Sequence, residues 1–251
     1  MEFSFDVLLL LMVVALFAGW VDAIAGGGGL ITVPVLLLVG LPPAGALATN
    51  KLQGSAGSLS ASFYFIKNKT VKLSEMKLAI AATFVGSVLG AGLLLKIEAK
   101  SLSVVLPFLL IAMGLYFLLS PNINDKDRRH RLTMTAFALL VAPFLGFYDG
   151  FFGPGTGSFM ALALVMLLGY GLPKATAHAK ILNFVSNLSS LLYFILYGEI
   201  YWQVGMVMIV GQVIGATIGA KMILDKGSAM IKPIVVTVCF VMSVNILWQY
   251  F

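Results

Sequence analysis

Stretches of roughly 20 predominantly apolar residues, the length that crosses a hydrocarbon core of about 30 Å, recur along this chain from one end to the other. The intervals between them are too short to build a soluble domain. Of the 251 residues, 60% are hydrophobic and only 10% charged, and the mean hydropathy is +1.03. These values exclude an ordinary soluble globular protein and indicate an integral membrane protein. One apolar run is interrupted in a way that lipid should not tolerate. The stretch "VDAIAGGGGLITVP", residues 21–34, places four consecutive glycines and an aspartate within it.

The first run is read as a retained helix rather than a secretory signal. Its leading residues include Glu2 and Asp6 instead of lysines, and no small-residue cleavage pattern follows. The single cysteine, Cys239, lies within the last apolar segment, so neither a disulfide nor a cysteine metal site can form within the chain. No cofactor is expected. The formal charge of +6 sits mostly in loops, where it reads as membrane topology and not as affinity for nucleic acid.

The interrupted stretch has a second copy. "GWVDAIAGGGG" from Gly19 aligns with "GFYDGFFGPGTG" from Gly146, matching Asp22 to Asp149. "GLPPAGALATNK" from Gly40 then aligns with "GLPKATAHAK" from Gly171, which matches Lys51 to Lys180 and Thr49 to His178. "GSVLGAGLLLK" from Gly86 matches "GQVIGATIGAK" from Gly211, and Pro107 falls near Pro233. The chain therefore reads as one duplicated unit. The predicted domains are a first transmembrane repeat over 1–120, a cytoplasmic loop over 121–131 and a second transmembrane repeat over 132–251.

Each repeat is predicted to be all-α. A helix ends near the glycines (4–25 and 132–152), a short apolar segment follows (29–40 and 157–170), and three long helices complete the unit. These run near 44–66, 75–97 and 101–120, then 174–197, 203–223 and 231–250. A dozen residues cover roughly 18 Å, too little to cross alone. The broken pair is thus either a re-entrant hairpin or two tilted spans.

Loop charge orients the repeats. The segment "KNKTVKLSEMK" holds Lys67, Lys69, Lys72 and Lys77, whereas its counterpart "GEIYWQ" has no basic residue. If the glycine-containing pair returns to its side of entry, the cytoplasmic face gathers twelve bases: these four, Lys126, Arg128, Arg129, Arg131, Lys174, Lys221, Lys226 and Lys232. Only Lys96 and Lys100 then lie outside. An even number of crossings per repeat would divide the same fourteen eight to six. The expectation is a pair of inverted repeats with both termini outside the cell.

Inverted repeats with interrupted helices are a recurring plan of secondary transporters, whose substrate sites form at the repeat interface near the midplane. Amides freed at Gly26, Gly27, Gly28 and Gly29 must face protein, water or a ligand. The helix that starts beside them presents about half a positive charge. Gly153, Gly155 and Gly157 offer the same from the second repeat, so the site reads as one for an anion. The competing reading is that the glycines only allow close helix packing. Gly86 and Gly90, and Gly211, Gly215 and Gly219, are assigned to packing outright.

Lys51 and Lys180 occupy matching positions, and each heads a polar stripe on its helix. Lys51, Ser55 and Ser58 share one face and Lys180, Asn183 and Asn187 another, with Asn50, Gln53, His178 and Ser186 within a turn or two. The lysines are expected to attract the anion and donate to its oxygens. Single lysines near helix ends can instead extend to the headgroups. Asp22 and Asp149 have two open readings. They cap freed amides or pair with a lysine, or they carry a coupling proton. His178 is the buried candidate that titrates nearest neutrality, although a lone histidine is more often structural.

The paired motifs "VDAIAGGGGLITVPVLLLVGLPPAGALATNK" and "YDGFFGPGTGSFMALALVMLLGYGLPKATAHAKILNFVSN" resemble the sulfite exporter TauE/SafE family, also called the toluene sulfonate uptake permease family. The resemblance covers essentially the whole chain. It implies a secondary transporter of the bacterial or archaeal inner membrane that moves small sulfur-containing anions, usually outward. One departure from symmetry stands out: Asn50-Lys51 becomes Ala179-Lys180. An enzyme is disfavoured, since there is no metal-ligand cluster and no paired nucleophile and base. The nearer rivals are a cation carrier using Asp22 and Asp149, and a non-transport subunit of a membrane complex.

Overall fold

The computed structural model describes residues 3–98, 100–102, 108, 127 and 131–226. The predicted helices 101–120 and 231–250, with Pro107, Pro233 and Cys239, lie outside the described residues, apart from 101, 102 and 108. The described segments are helical, joined by short turns. In chain order the helices are α1 (Phe5–Ala25), α2 (Gly28–Leu38), α3 (Pro43–Lys67) and α4 (Leu73–Leu94). They continue as α5 (Met134–Leu140), α6 (Ala142–Phe151), α7 (Thr156–Leu168), α8 (Leu172–Tyr197) and α9 (Trp202–Lys226).

Local chemistry sets these boundaries. Ser4 caps α1, its Oγ accepting from Val7 N, and Gly26 ends it with φ 75° and its own N–H donating to Asp22 O. Gly40, with φ 92°, and Gly169, with φ 66°, follow α2 and α7. Prolines stand at the first turns of α3 and α8, where a missing N–H costs nothing. The single helix expected over 132–152 is two helices, α5 and α6, bent by 41°. Pro143 explains the correction: it cannot donate to the preceding turn, and its ring crowds the carbonyl four residues back. The first repeat has no proline in α1.

Four described helices, α1, α4, α8 and α9, are long and apolar enough to cross a membrane, and the bent pair α5–α6 makes a fifth if it is one span. The outer surface suits lipid. Phe144 is 72% exposed and Leu196 71%, while Lys51 and Lys180 are each 1% exposed. Two lysines are thus enclosed while large apolar side chains face outward, as suits a surface against lipid.

The helix contacts come in matched pairs. Helix α1 lies along α9, and α6 lies along α4; α3 packs on α9, and α8 packs on α4. Helices α3 and α8 also pack on each other. Glycines bring the backbones together: Gly211 and Gly215 of α9 sit against the α1 backbone between Met12 and Trp20, and Gly86 and Gly90 of α4 sit against α6 between Pro143 and Phe151. Close backbone approach of this kind is what small residues provide in a bilayer, where no hydrophobic effect drives helices together.

Candidate functional site

The two glycine breaks meet each other. A Cβ on Gly157 would stand 2.6 Å from Gly26 Cα, and one on Gly29 would stand 3.1 Å from Pro154 Cα. Ser158 at the start of α7 donates its hydroxyl to Ala25 O at the end of α1. Gly26 (φ 75°), Gly153 (φ 95°) and Gly155 (φ 82°) adopt left-handed conformations, which turn the chain sharply enough for α2 and α7 to start at this junction.

Four amides at the junction, those of Gly27, Gly29, Gly155 and Gly157, are left over among the described residues. Gly28 N donates to Asp22 Oδ1 (3.2 Å), Leu30 N to Gly27 O, Thr156 N to Gly153 O and Ser158 N to Gly155 O. The N–H groups of Gly29 and Gly157, the second residues of α2 and α7, meet no acceptor among the described residues. Both glycines line the same cavity.

Beside the junction, each buried lysine pairs with the aspartate of the other repeat. Lys180 Nζ donates to Asp22 Oδ2 at 2.7 Å, so Asp22 both caps α2 and holds an ammonium. Lys51 Nζ lies 2.8 Å from Asp149 Oδ1. The contact is a buried ion pair at hydrogen-bonding distance. The other oxygen of Asp149 accepts from Ser186 Oγ. Both aspartates thus pair with a lysine, and Asp22 also caps an amide. A carboxylate occupies the position nearest each ammonium, and neither lysine lines the cavity that Gly29 and Gly157 share. Neither lysine extends to the headgroups.

A polar cavity lies where the breaks meet α3, α8 and α9. Asp22, Gly26, Gly29 and Asn50 line it from one side, and Asp149, Gly153, Gly155, Gly157, Asn183 and Asn187 from the other; Gln53, Gly54 and Gln212 complete the wall. The space open to a water's centre is ≈ 20 Å³, room for about one water. Asn50 is tied into the first half, its Oδ1 accepting from Thr32 Oγ1 (2.6 Å) and Gln53 Nε2 (2.8 Å).

Other expected site residues lie elsewhere. Gly27 and Gly28 shape the break without lining the cavity. Ser55 Oγ donates to Lys51 O, and Ser58 Oγ to Gly54 O, both within α3. His178 belongs to a separate corner. Its Nδ1 is 2.8 Å from Lys174 O, and its ring stacks beside Tyr170 at 4.9 Å. Lys174 there pairs with Asp127 at 2.9 Å, and burial raises the Tyr170 hydroxyl above its ordinary value against the pull of Lys174. The matching residue Thr49 accepts from Tyr201 N, which likewise places it outside the cavity wall.

Gln212 and Gly54 are wall residues that the polar stripes do not include. Gln212 comes from α9, where it matches Ser87 of α4 in the repeat. A Cβ on Gly57 would lie 2.5 Å from Gln212 Cγ, so that glycine is the notch through which the glutamine passes. Ser87, by contrast, bonds to Ser186 O and Ser190 Oγ. The available sequence signal was a carboxamide in an apolar span.

Comparison with known proteins agrees in kind. The family described as "Sulfite exporter TauE/SafE" matches residues 11–246. A Haemophilus influenzae protein named "Probable membrane transporter protein" is 52% identical over 99% of this chain and 98% of its own. "Probable membrane transporter protein YfcA" of Escherichia coli K12 is 52% identical over 95% of this chain and 89% of its own. "Probable membrane transporter protein YunE" of Bacillus subtilis is 25% identical over 72% of this chain and 76% of its own. No solved structure matches. A multi-pass, all-helical chain with a whole-length family match and such relatives is a membrane transporter, and it belongs to the sulfite exporter TauE/SafE family.

Proposed function

We propose that this transporter moves a small sulfur-containing anion, such as sulfite, a sulfonate or sulfoacetate, outward across the bacterial or archaeal inner membrane. The site is the cavity between the glycine breaks, and the two repeats, 1–120 and 132–251, are inverted about it with both termini outside. The observation that carries this reading is the pair of unpartnered amides at Gly29 and Gly157, set at the starts of two helices on one polar cavity. Their dipoles favour negative charge. The two carboxylates that would repel an anion are each held by an ammonium. Asn183 and Asn187 add carboxamides on the wall. The outward direction rests on the family's description as an exporter.

A cavity of this size admits an anion of several heavy atoms only when its walls part, which suits alternating access by rocking of one helix set against the other. A cation carrier built on Asp22 and Asp149 fits less well, since each carboxylate already has its counter-ion. Proton coupling through either aspartate would require an ion pair to open.

The test is thermal stability of the purified protein against sulfite, sulfate, thiosulfate, sulfoacetate, taurine and simple cations, for wild type, Lys51→Ala and Lys180→Ala. A ligand at about 100 times its Kd stabilises by roughly 2.7 kcal/mol. The expected result is a rise in Tm with one or more sulfur anions that both lysine variants lose. A rise with a cation alone, dependent on Asp22 or Asp149, would overturn the anion reading.

A further inference from the structure

The described helices sort into two sets that cut across the sequence repeats. Helices α1, α2, α3 and α9 pack together as one, and α4 to α8 as the other. Each set therefore takes a helix from the opposite repeat: α9 joins α1, α2 and α3, and α4 joins α5 to α8. Side-chain bonds follow the same division. In the first set, Thr32 Oγ1 donates to Asn50 Oδ1, the hydroxyls of Ser60 and Thr217 bond at 2.6 Å, and Trp20 Nε1 donates to Met222 Sδ. In the second, Ser87 bonds to Ser186 O and Ser190 Oγ, and Tyr148 donates its hydroxyl to Pro154 O at 2.9 Å. The glycine contacts of α9 on α1, and of α4 on α6, also fall within a set.

The seam between the sets is built otherwise. Along it α3 packs on α8, with Gly54 against Asn187, and among the described residues no hydrogen bond joins these two helices. Ties across the seam include Lys51 to Asp149, Lys180 to Asp22, and the Ser158 hydroxyl on Ala25 O. The cavity lies on the same seam, taking Asp22, Gln53 and Gln212 from the first set and Asp149, Asn183 and Asn187 from the second. Helices joined by backbone contact and hydrogen bonds move together, whereas a packed face without them can shear. An ion pair across such a face favours one arrangement, because parting it leaves two charges unmet.

We infer that the bodies that move in transport are these two sets and not the two repeats, and that the crossed ion pairs are the clasps that hold them together along the α3–α8 seam. The inference rests on alternating access at the cavity, and not on which ion the cavity takes. It gives the lysines, which do not line the cavity, a role apart from binding: they fix how far the walls stand from each other.

The experiment uses the purified full-length protein with Cys239→Ser and pairs of spin labels on cysteines introduced at exposed positions Leu10 of α1, Leu89 of α4 and Ile218 of α9. Leu10 and Ile218 belong to different repeats but one set; Leu10 and Leu89 belong to one repeat but different sets. Pulsed dipolar spectroscopy compares each pair with the ion pairs intact and in Lys51→Met/Lys180→Met. Release of the clasps should move the Leu10–Leu89 distance by about 2 Å or more and leave Leu10–Ile218 unchanged, which also reports that the variant is folded. Lys51→Met alone, which keeps the Lys180 pair, should show the same shift in a smaller fraction of molecules. A change in Leu10–Ile218 with Leu10–Leu89 constant would restore the repeats as the moving bodies. Both distances changing in the single variant would deny rigid sets, and neither changing in the double variant would deny the clasps. No ligand enters these measurements, so each of these failures is distinct from a failure of the anion reading, which the stability panel reports.

Discussion

The two buried ion pairs use the same residue types at matching repeat positions, yet they are built differently. Asp22 is fully engaged: one oxygen caps Gly28 N, and the other receives a hydrogen bond from Lys180. Asp149 caps nothing on α7. One of its oxygens takes the Ser186 hydroxyl, and the other faces Lys51 Nζ at 2.8 Å. Like charges at aligned positions therefore do unequal work. The first pair fastens a helix start to the opposite half.

The largest expected effect tests that contrast directly. Asp22→Ala should lose about 3–5 kcal/mol by stranding Lys180, plus about 1 kcal/mol for the lost cap. Asp149→Ala should lose only the first amount, since it caps no amide of α7. Denaturant or thermal unfolding in a mild detergent measures both, and equal losses would erase the distinction.

A smaller effect separates the breaks themselves. Gly157→Ala sets a methyl group 2.6 Å from the Gly26 backbone, whereas Gly29→Ala meets Pro154 at 3.1 Å. The first should cost about 1–3 kcal/mol as overpacking between rigid backbones, the second visibly less. A reversal of that order in unfolding midpoints would mean that the junction is not packed as described.

The smallest concerns the Thr32–Asn50–Gln53 network, which has no counterpart beside Ala179. Thr32→Val should lower stability by about 1 kcal/mol, the net value of one buried hydrogen bond. An unchanged midpoint would show that Asn50 is held without it.

Much of this molecule was legible from residue types alone. The short helices after each break, the left-handed glycines and the burial of Lys51 and Lys180 follow from apolar run length and from residues that lipid does not tolerate. The partners were not legible in the same way. Lys51 and Asp149 lie in different repeats, and one sequence read for local pattern carries no signal of which distant charge a buried group will meet. His178 aligns with Thr49 and lies within a turn of Lys180, but position along a helix does not state how far the cavity extends. Gln212 was hidden for a related reason: in an apolar span, a lining carboxamide and a packing carboxamide read alike. The bend before Ala142 could have been taken from Pro143.

Crossed pairing also has a consequence for the order of synthesis. Chains emerge from the ribosome N-terminus first, so Asp22 and Lys51 enter the bilayer while Lys180 and Asp149 are still untranslated. Each is costly in hydrocarbon without a partner. Until α6 and α8 arrive, the early helices must keep both charges against water, headgroups or each other. Assembly is therefore completed from the second half backward, and a ribosome that stops after α4 leaves behind a fragment with an acid and a base that its own helices do not neutralise as the whole protein does.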